Sequence, residues 1–83
     1  MDRNVQKLCV KIIALLREER ERRKLSKYFI AQESGMSPQM IAYVENGERR
    51  PTLETVLQIA RAMDIDLEDV IIQARKEISK PGK

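Results

Sequence analysis

Gln39 and Tyr43 stand four positions apart in the run Pro38-Gln39-Met40-Ile41-Ala42-Tyr43-Val44. If that run is helical, both point the same way. A glutamine amide donates and accepts at once, which matches the N6 and N7 edge of adenine in a DNA major groove. Tyr43 on that face is suited to a base or a phosphate, and Pro38 and Met40 to the methyl group of thymine. Lys27, Asn46, Arg49 and Arg50 carry groups that bind phosphate oxygens, and so do backbone amides at helix N-termini. Ser26 and Ser37 are helix caps first and phosphate donors second. The plainer alternative is that all of these are solvated helix and loop residues.

Other chemistries find little support. The 83 residues include no histidine and a single cysteine, so catalytic triads, an internal disulfide and metal clusters lack their residues. No glycine-rich phosphate loop appears, and the acidic residues fall on helix surfaces or at caps. The chain is not expected to be an enzyme, and no cofactor is expected. Cys9 reads as a small core residue on an apolar helix face. Sixteen basic residues against thirteen acidic ones leave a net charge of +3, which permits nucleic acid without demanding it. One phenylalanine and two tyrosines are too few for the stacking platforms of a single-strand binder. No apolar window approaches membrane length, and the run after Met1 is broken by Gln6, Lys7 and Lys11. Neither a membrane span nor a signal peptide is expected, and a cytoplasmic location is.

The reactive side chains need elements to hold them. Val5, Leu8, Cys9, Ile12, Ile13 and Leu16 recur at helical spacing, which predicts a first helix from about Asn4 to Arg23. Its charged end, Arg17 to Lys24, reads as a solvated terminus with Glu–Arg pairs. Ser26 caps a second helix that runs to Ser34, with Ile30 and Ala31 inward. Gly35 suits the left-handed turn that ends it, and Met36 plugs the core from within that turn. Ser37 caps the third helix, Pro38 takes its first position, Ile41 and Val44 face inward, and Gly47 ends it. Thr52 caps a fourth helix with Leu53, Val56, Leu57, Ala60 and Met63 on one face. Asp66 caps a fifth, whose stripe is Leu67, Val70, Ile71, Ala74 and Ile78, and Glu68 and Asp69 suit its N-terminal dipole. No strand pattern competes. The prediction is one compact all-α domain of five helices over 1–78, with a long first helix and a flexible tail at 79–83.

Two short helices joined by Gly35-Met36-Ser37 form a helix-turn-helix, which puts the second of them into a DNA groove. Arg20, Leu25-Ser26, Ile30-Ala31, Gly35-Met36-Ser37, Ile41, Glu45-Asn46-Gly47, Pro51 and Leu57 fall in register with one pattern. On these residues the chain resembles the phage-repressor-like helix-turn-helix family, of Cro/C1 or Xre type, from about Leu16 to Val70. The resemblance implies a sequence-specific regulator of transcription that binds double-stranded DNA, expected to be a repressor. It implies that the third helix reads the major groove and that the loop of Arg49 and Arg50 faces the DNA strand. It also implies that Arg20 and Glu45 form a buried ion pair that pins the third helix to the first. Three positions depart from the family. Lys27 replaces a glutamine that braces the recognition helix, Pro38 replaces a frequent polar base reader, and Phe29 stands where a polar residue is usual. Phe29 either packs under the long first helix or belongs to a partner surface.

A dimer of such domains reads two half-sites of a palindromic operator about one helical turn apart. The stripe of the fifth helix is more apolar surface than one small core hides easily. Leu67, Val70, Ile71, Ala74 and Ile78 are therefore expected at a homodimer interface, with the added N-terminal turns beside them. The alternative is that helices one and five bury these residues against each other within a monomer. A second functional reading keeps the fold but makes it an antitoxin- or adaptor-type module, holding a toxin or another protein through Phe29 or the fifth helix.

Overall fold

Residues 3–79, described by a computed structural model, form α1 (Arg3–Arg22), α2 (Lys27–Ser34), α3 (Pro38–Glu45), α4 (Leu53–Ala62) and α5 (Leu67–Ile78). No strand occurs among the described residues. Three caps start helices as their residue types predict. The side-chain oxygens of Ser26, Ser37 and Thr52 accept from the N–H groups of Phe29, Met40 and Thr55 at 2.9, 3.1 and 3.1 Å. Asp66 holds the N-cap position of α5 but makes no side-chain cap bond, contrary to expectation. Glu68 and Asp69 in the first turn supply the negative charge there instead.

α1 to α4 all stop the same way. An N–H just past the helix reaches back five residues: Leu25 to the Arg20 carbonyl at 3.0 Å, and Met36 to Ala31, Glu48 to Tyr43 and Ile65 to Ala60 at 2.9 Å. This closure needs one left-handed residue. Gly35 and Gly47 take that conformation at φ 73° and 77°, with no Cβ to clash. Lys24 and Asp64 take it at 58° and 59° as ordinary residues, at roughly 1–2 kcal/mol each.

The core is formed by Leu16, Ile30, Ala31, Ile41, Val44, Ile59, Ala60, Met63 and Leu67. Ile30 of α2 and Ile41 of α3 have no exposed surface, so the two short helices lock together through them. Burying each contributes about 1.5–3 kcal/mol. α2 also packs on α4, and α5 packs along α1. The two long helices are antiparallel. Lys11 Nζ meets Glu77 at 2.7 Å near one end, and Ile65 lines a groove with Arg22 and Arg23 at the other. Arg23 Nη1 donates to the Met63 carbonyl at 2.6 Å, tying the end of α1 to the end of α4.

Helical spacing names the shared faces, but three of them are covered differently from expectation. On α1, Leu16 is buried and Ile12 and Ile13 are half-buried, while Val5 and Cys9 are exposed. The first turns of α1 overhang the domain, so Cys9 is not a core residue. On α4 the buried side is Ile59 and Ala60, continued by Met63 at its C-cap; Leu53 and Leu57 lie on an exposed flank. On α5, Leu67 and Ala74 are buried inside the chain, and Val70 and Ile71 are half-buried against its core. Leu67 and Ala74 therefore have no surface to offer a second copy, and only Ile78 of the expected interface stands exposed. Of the expected tail, Ser79 is the C-cap of α5; residues 80–83, like residues 1–2, lie outside the described residues.

Candidate nucleic-acid interface

α3 is held at both ends and along one side. Ile41 and Val44 anchor its inner side, which leaves Pro38 and Gln39 exposed and Tyr43 half-buried. Met40 is half-buried and packs against the core, four positions before Val44 on the same flank. Part of its surface is therefore covered within the chain. Proline at the first position removes an N–H that the helix would not use.

The C-terminal end of α3 is fixed by charge. Arg20 Nε donates to Glu45 Oε2 at 2.6 Å and Arg20 Nη2 to Glu45 Oε1 at 2.9 Å. Arg20 Nη1 donates to the Leu25 carbonyl at 2.9 Å, just before the cap of α2. One guanidinium thus joins the end of α1, the entrance to α2 and the end of α3. The bond to Glu45 raises the pKa of Arg20 above its ordinary value, against the opposing effect of burial. Bidentate geometry of this kind is among the stronger polar contacts a protein makes.

On the outer side three residues meet. Gln39 Nε2 donates to Tyr43 Oη at 2.5 Å. The Arg49 guanidinium lies over the Tyr43 ring, 5.0 Å from its centre. Arg50 is exposed in the same loop, and Asn46 is exposed at the C-cap of α3. Lys27 is half-buried at the first position of α2, and Ser37 is exposed at the cap of α3. Neither α2 nor α3 carries an acidic residue in its first turn, whereas α4 and α5 do. The N-terminal partial charges of α2 and α3 are therefore left free of local carboxylates, as an approaching phosphate requires.

Sequence spacing gives no signal for Tyr28, yet the residue is 65 % exposed on the first turn of α2, beside Lys27. Nor does it foretell the stacking of Arg49 on Tyr43, which depends on how the loop turns back. Phe29 is 40 % exposed, so it is not sequestered under α1. No helix among the described residues is long and apolar enough to cross a membrane.

Comparison with known proteins bears on the same span. Two proteins named as uncharacterized HTH-type transcriptional regulators, from two strains of Mycobacterium tuberculosis, are each 31 % identical to this chain over 61 residues. The alignments cover 74 % of this chain and 44 % of the relatives, so the chain spans less than half their length. No solved structure matches. The profile of the Helix-turn-helix family matches residues 16–70. That stretch encloses α2, the turn at Gly35, α3 and the Arg20–Glu45 contact, and it makes the chain a member of the helix-turn-helix family.

Proposed function

We propose that this chain is a DNA-binding regulator of transcription that inserts α3 into the major groove of double-stranded DNA. The observation that carries the reading is the outer side of α3, where Gln39 and Tyr43 form one polar group above a helix anchored by Ile41, Val44 and Glu45. Lys27, Arg49, Arg50, Asn46 and the cap of α3 at Ser37 supply contacts to phosphate on either side. The names of the mycobacterial relatives point the same way. Repression by occupying a promoter is the simplest action for such a domain.

The protein acts as a homodimer on a palindromic site, since one helix-turn-helix covers one half-site. The burial of Leu67 and Ala74 moves the contact away from the middle of α5. Val5 and Cys9 on the α1 overhang and Ile78 at the end of antiparallel α5 remain for it. A second reading, a protein-interaction module of antitoxin or adaptor type, is favoured by one observation: Phe29, Leu53 and Leu57 are large, apolar and exposed.

Fluorescence anisotropy with a randomised duplex pool tests the main reading. Duplex binding that weakens steeply with salt, and that enriches a symmetric sequence on reselection, is expected. Failure to bind any duplex while a protein partner is retained would establish the second reading instead.

A further inference from the structure

We propose that Arg49 is a positioning residue for base readout: it fixes Tyr43, and Tyr43 fixes the Gln39 amide for an adenine edge. This rests on α3 being the helix that enters the groove. The contacts run in series from the loop to the helix face. Gly47, at φ 77°, turns the chain back on α3. The N–H groups of Glu48 and Arg49 then both donate to the Tyr43 carbonyl, at 2.9 and 3.3 Å. That return sets the Arg49 guanidinium 5.0 Å from the centre of the Tyr43 ring, within range of a cation–π contact. Tyr43 is itself half-buried, which limits how far its ring can swing away from Arg49. Its hydroxyl oxygen accepts from Gln39 Nε2 at 2.5 Å.

The consequence is chemical. A glutamine amide has two N–H donors and one carbonyl acceptor. A free glutamine turns its amide either way, and can also offer its N–H donors to the acceptors of guanine. Here one N–H is committed to the phenol. That leaves one N–H and the carbonyl, a donor and an acceptor of the kind that adenine N7 and N6 require. Guanine would place its O6 acceptor against the carbonyl. The brace therefore turns a versatile side chain into a selective one, and it orders that side chain before DNA arrives, which lowers the entropy lost on binding. Lys27, on α2, cannot brace an amide from both sides; in this chain the brace comes from within α3 and the loop behind it.

The test is selection from a randomised duplex pool by the wild type and by Gln39→Ala, Tyr43→Phe, Arg49→Ala and Arg50→Ala, with thermal melts to confirm folding. The wild type is expected to enrich A·T at one position per half-site, and Gln39→Ala to lose that enrichment. Tyr43→Phe keeps the ring under Arg49 but removes the acceptor, and is expected to lower the preference for A·T over G·C on the order of tenfold. Arg49→Ala is expected to lose preference at that position and also to flatten the salt dependence. Arg50→Ala is expected to flatten the salt dependence alone. A wild type that selects a sequence which Tyr43→Phe or Arg49→Ala selects with equal strength overturns this proposal and leaves the DNA-binding reading standing. A wild type that binds no duplex overturns both.

Discussion

Arg20 closes the last turn of α1 and Glu45 is the last residue of α3, and the two meet in a bidentate contact across 25 positions of sequence. An acid at the C-terminal end of a helix opposes the helix dipole. Glu45 is therefore poorly placed for α3 alone and well placed for Arg20. Its side chain is only 8 % exposed, so the pair is largely, though not fully, shielded from water and salt.

Removing either partner strands the other. Arg20→Ala or Glu45→Ala is expected to cost about 3 kcal/mol, at the lower end for a buried pair because some solvent reaches the guanidinium. In a chain this small that lowers the melting temperature by about 10 °C or more. The double variant is expected to lose clearly less than the sum of the two. Additive losses in a double-mutant cycle would mean the residues act independently.

The left-handed turns give a paired test. A Cβ built on Gly35 meets no atom within 4 Å, so Gly35→Ala has only the backbone penalty to face, roughly 1–2 kcal/mol. Lys24→Gly is expected to go the other way and stabilise modestly, because it removes the same penalty from α1's exit. Chemical denaturation of both variants reads this directly. A destabilised Lys24→Gly would show that its side chain contributes more than its backbone strain removes.

Phosphate contact has a different signature from base contact. Arg50→Ala and Lys27→Ala are each expected to weaken binding to all duplexes alike. Each should reduce the slope of log affinity against log salt by about 0.9. A slope unchanged by Lys27→Ala would take that residue off the DNA surface.

The revised assembly is open to sedimentation. The wild type is expected to be dimeric at micromolar concentration and Val5→Glu to be monomeric with an intact fold, since Val5 is 49 % exposed in the single chain. A monomeric wild type, or a variant that stays dimeric, removes the α1 overhang from the interface.

Acid should loosen the end of α1. Hydrogen bonds from Arg23, and with them Arg22, hold the Glu19 carboxyl below its ordinary value. Its folded pKa thus lies under the unfolded value of about 4.3, so its contribution is complete above that pH and is lost as pH falls through the folded pKa. The site is open to solvent, and the contribution is a few tenths of a kcal/mol. Glu19→Gln should melt slightly below the wild type at neutral pH and together with it near pH 3. A gap that persists in acid would assign the effect to something other than charge.

Much of this fold is legible in residue types. Ser26, Ser37 and Thr52 announce helix starts because each places an oxygen where an unpaired N–H needs one, and Gly35 and Gly47 announce stops. Lys24 and Asp64 do the same work as those glycines without the tell-tale residue, so α1 and α4 end where composition gives no sign. Periodicity groups Val5, Cys9 and Leu16 on one face, but it cannot say how far along the face a neighbour extends; only Leu16 has one. The same limit hid the fate of α5, whose stripe faces α1 rather than open water. Gln39 and Tyr43 are legible as a pair from spacing alone, whereas Arg49 joins them only through the path of the loop.

The exposed thiol of Cys9 makes the α1 overhang an optical handle. It is the chain's sole cysteine, so a thiol-reactive dye attaches at one place. Eleven residues of helix separate it from Arg20, a rise of about 16 Å, which keeps a fluorophore clear of the Arg20–Glu45 contact. Pyrene at that position would emit as an excimer when two overhangs lie side by side and as a single ring when they part. Colour alone would then follow pairing and release, in real time, as DNA is added.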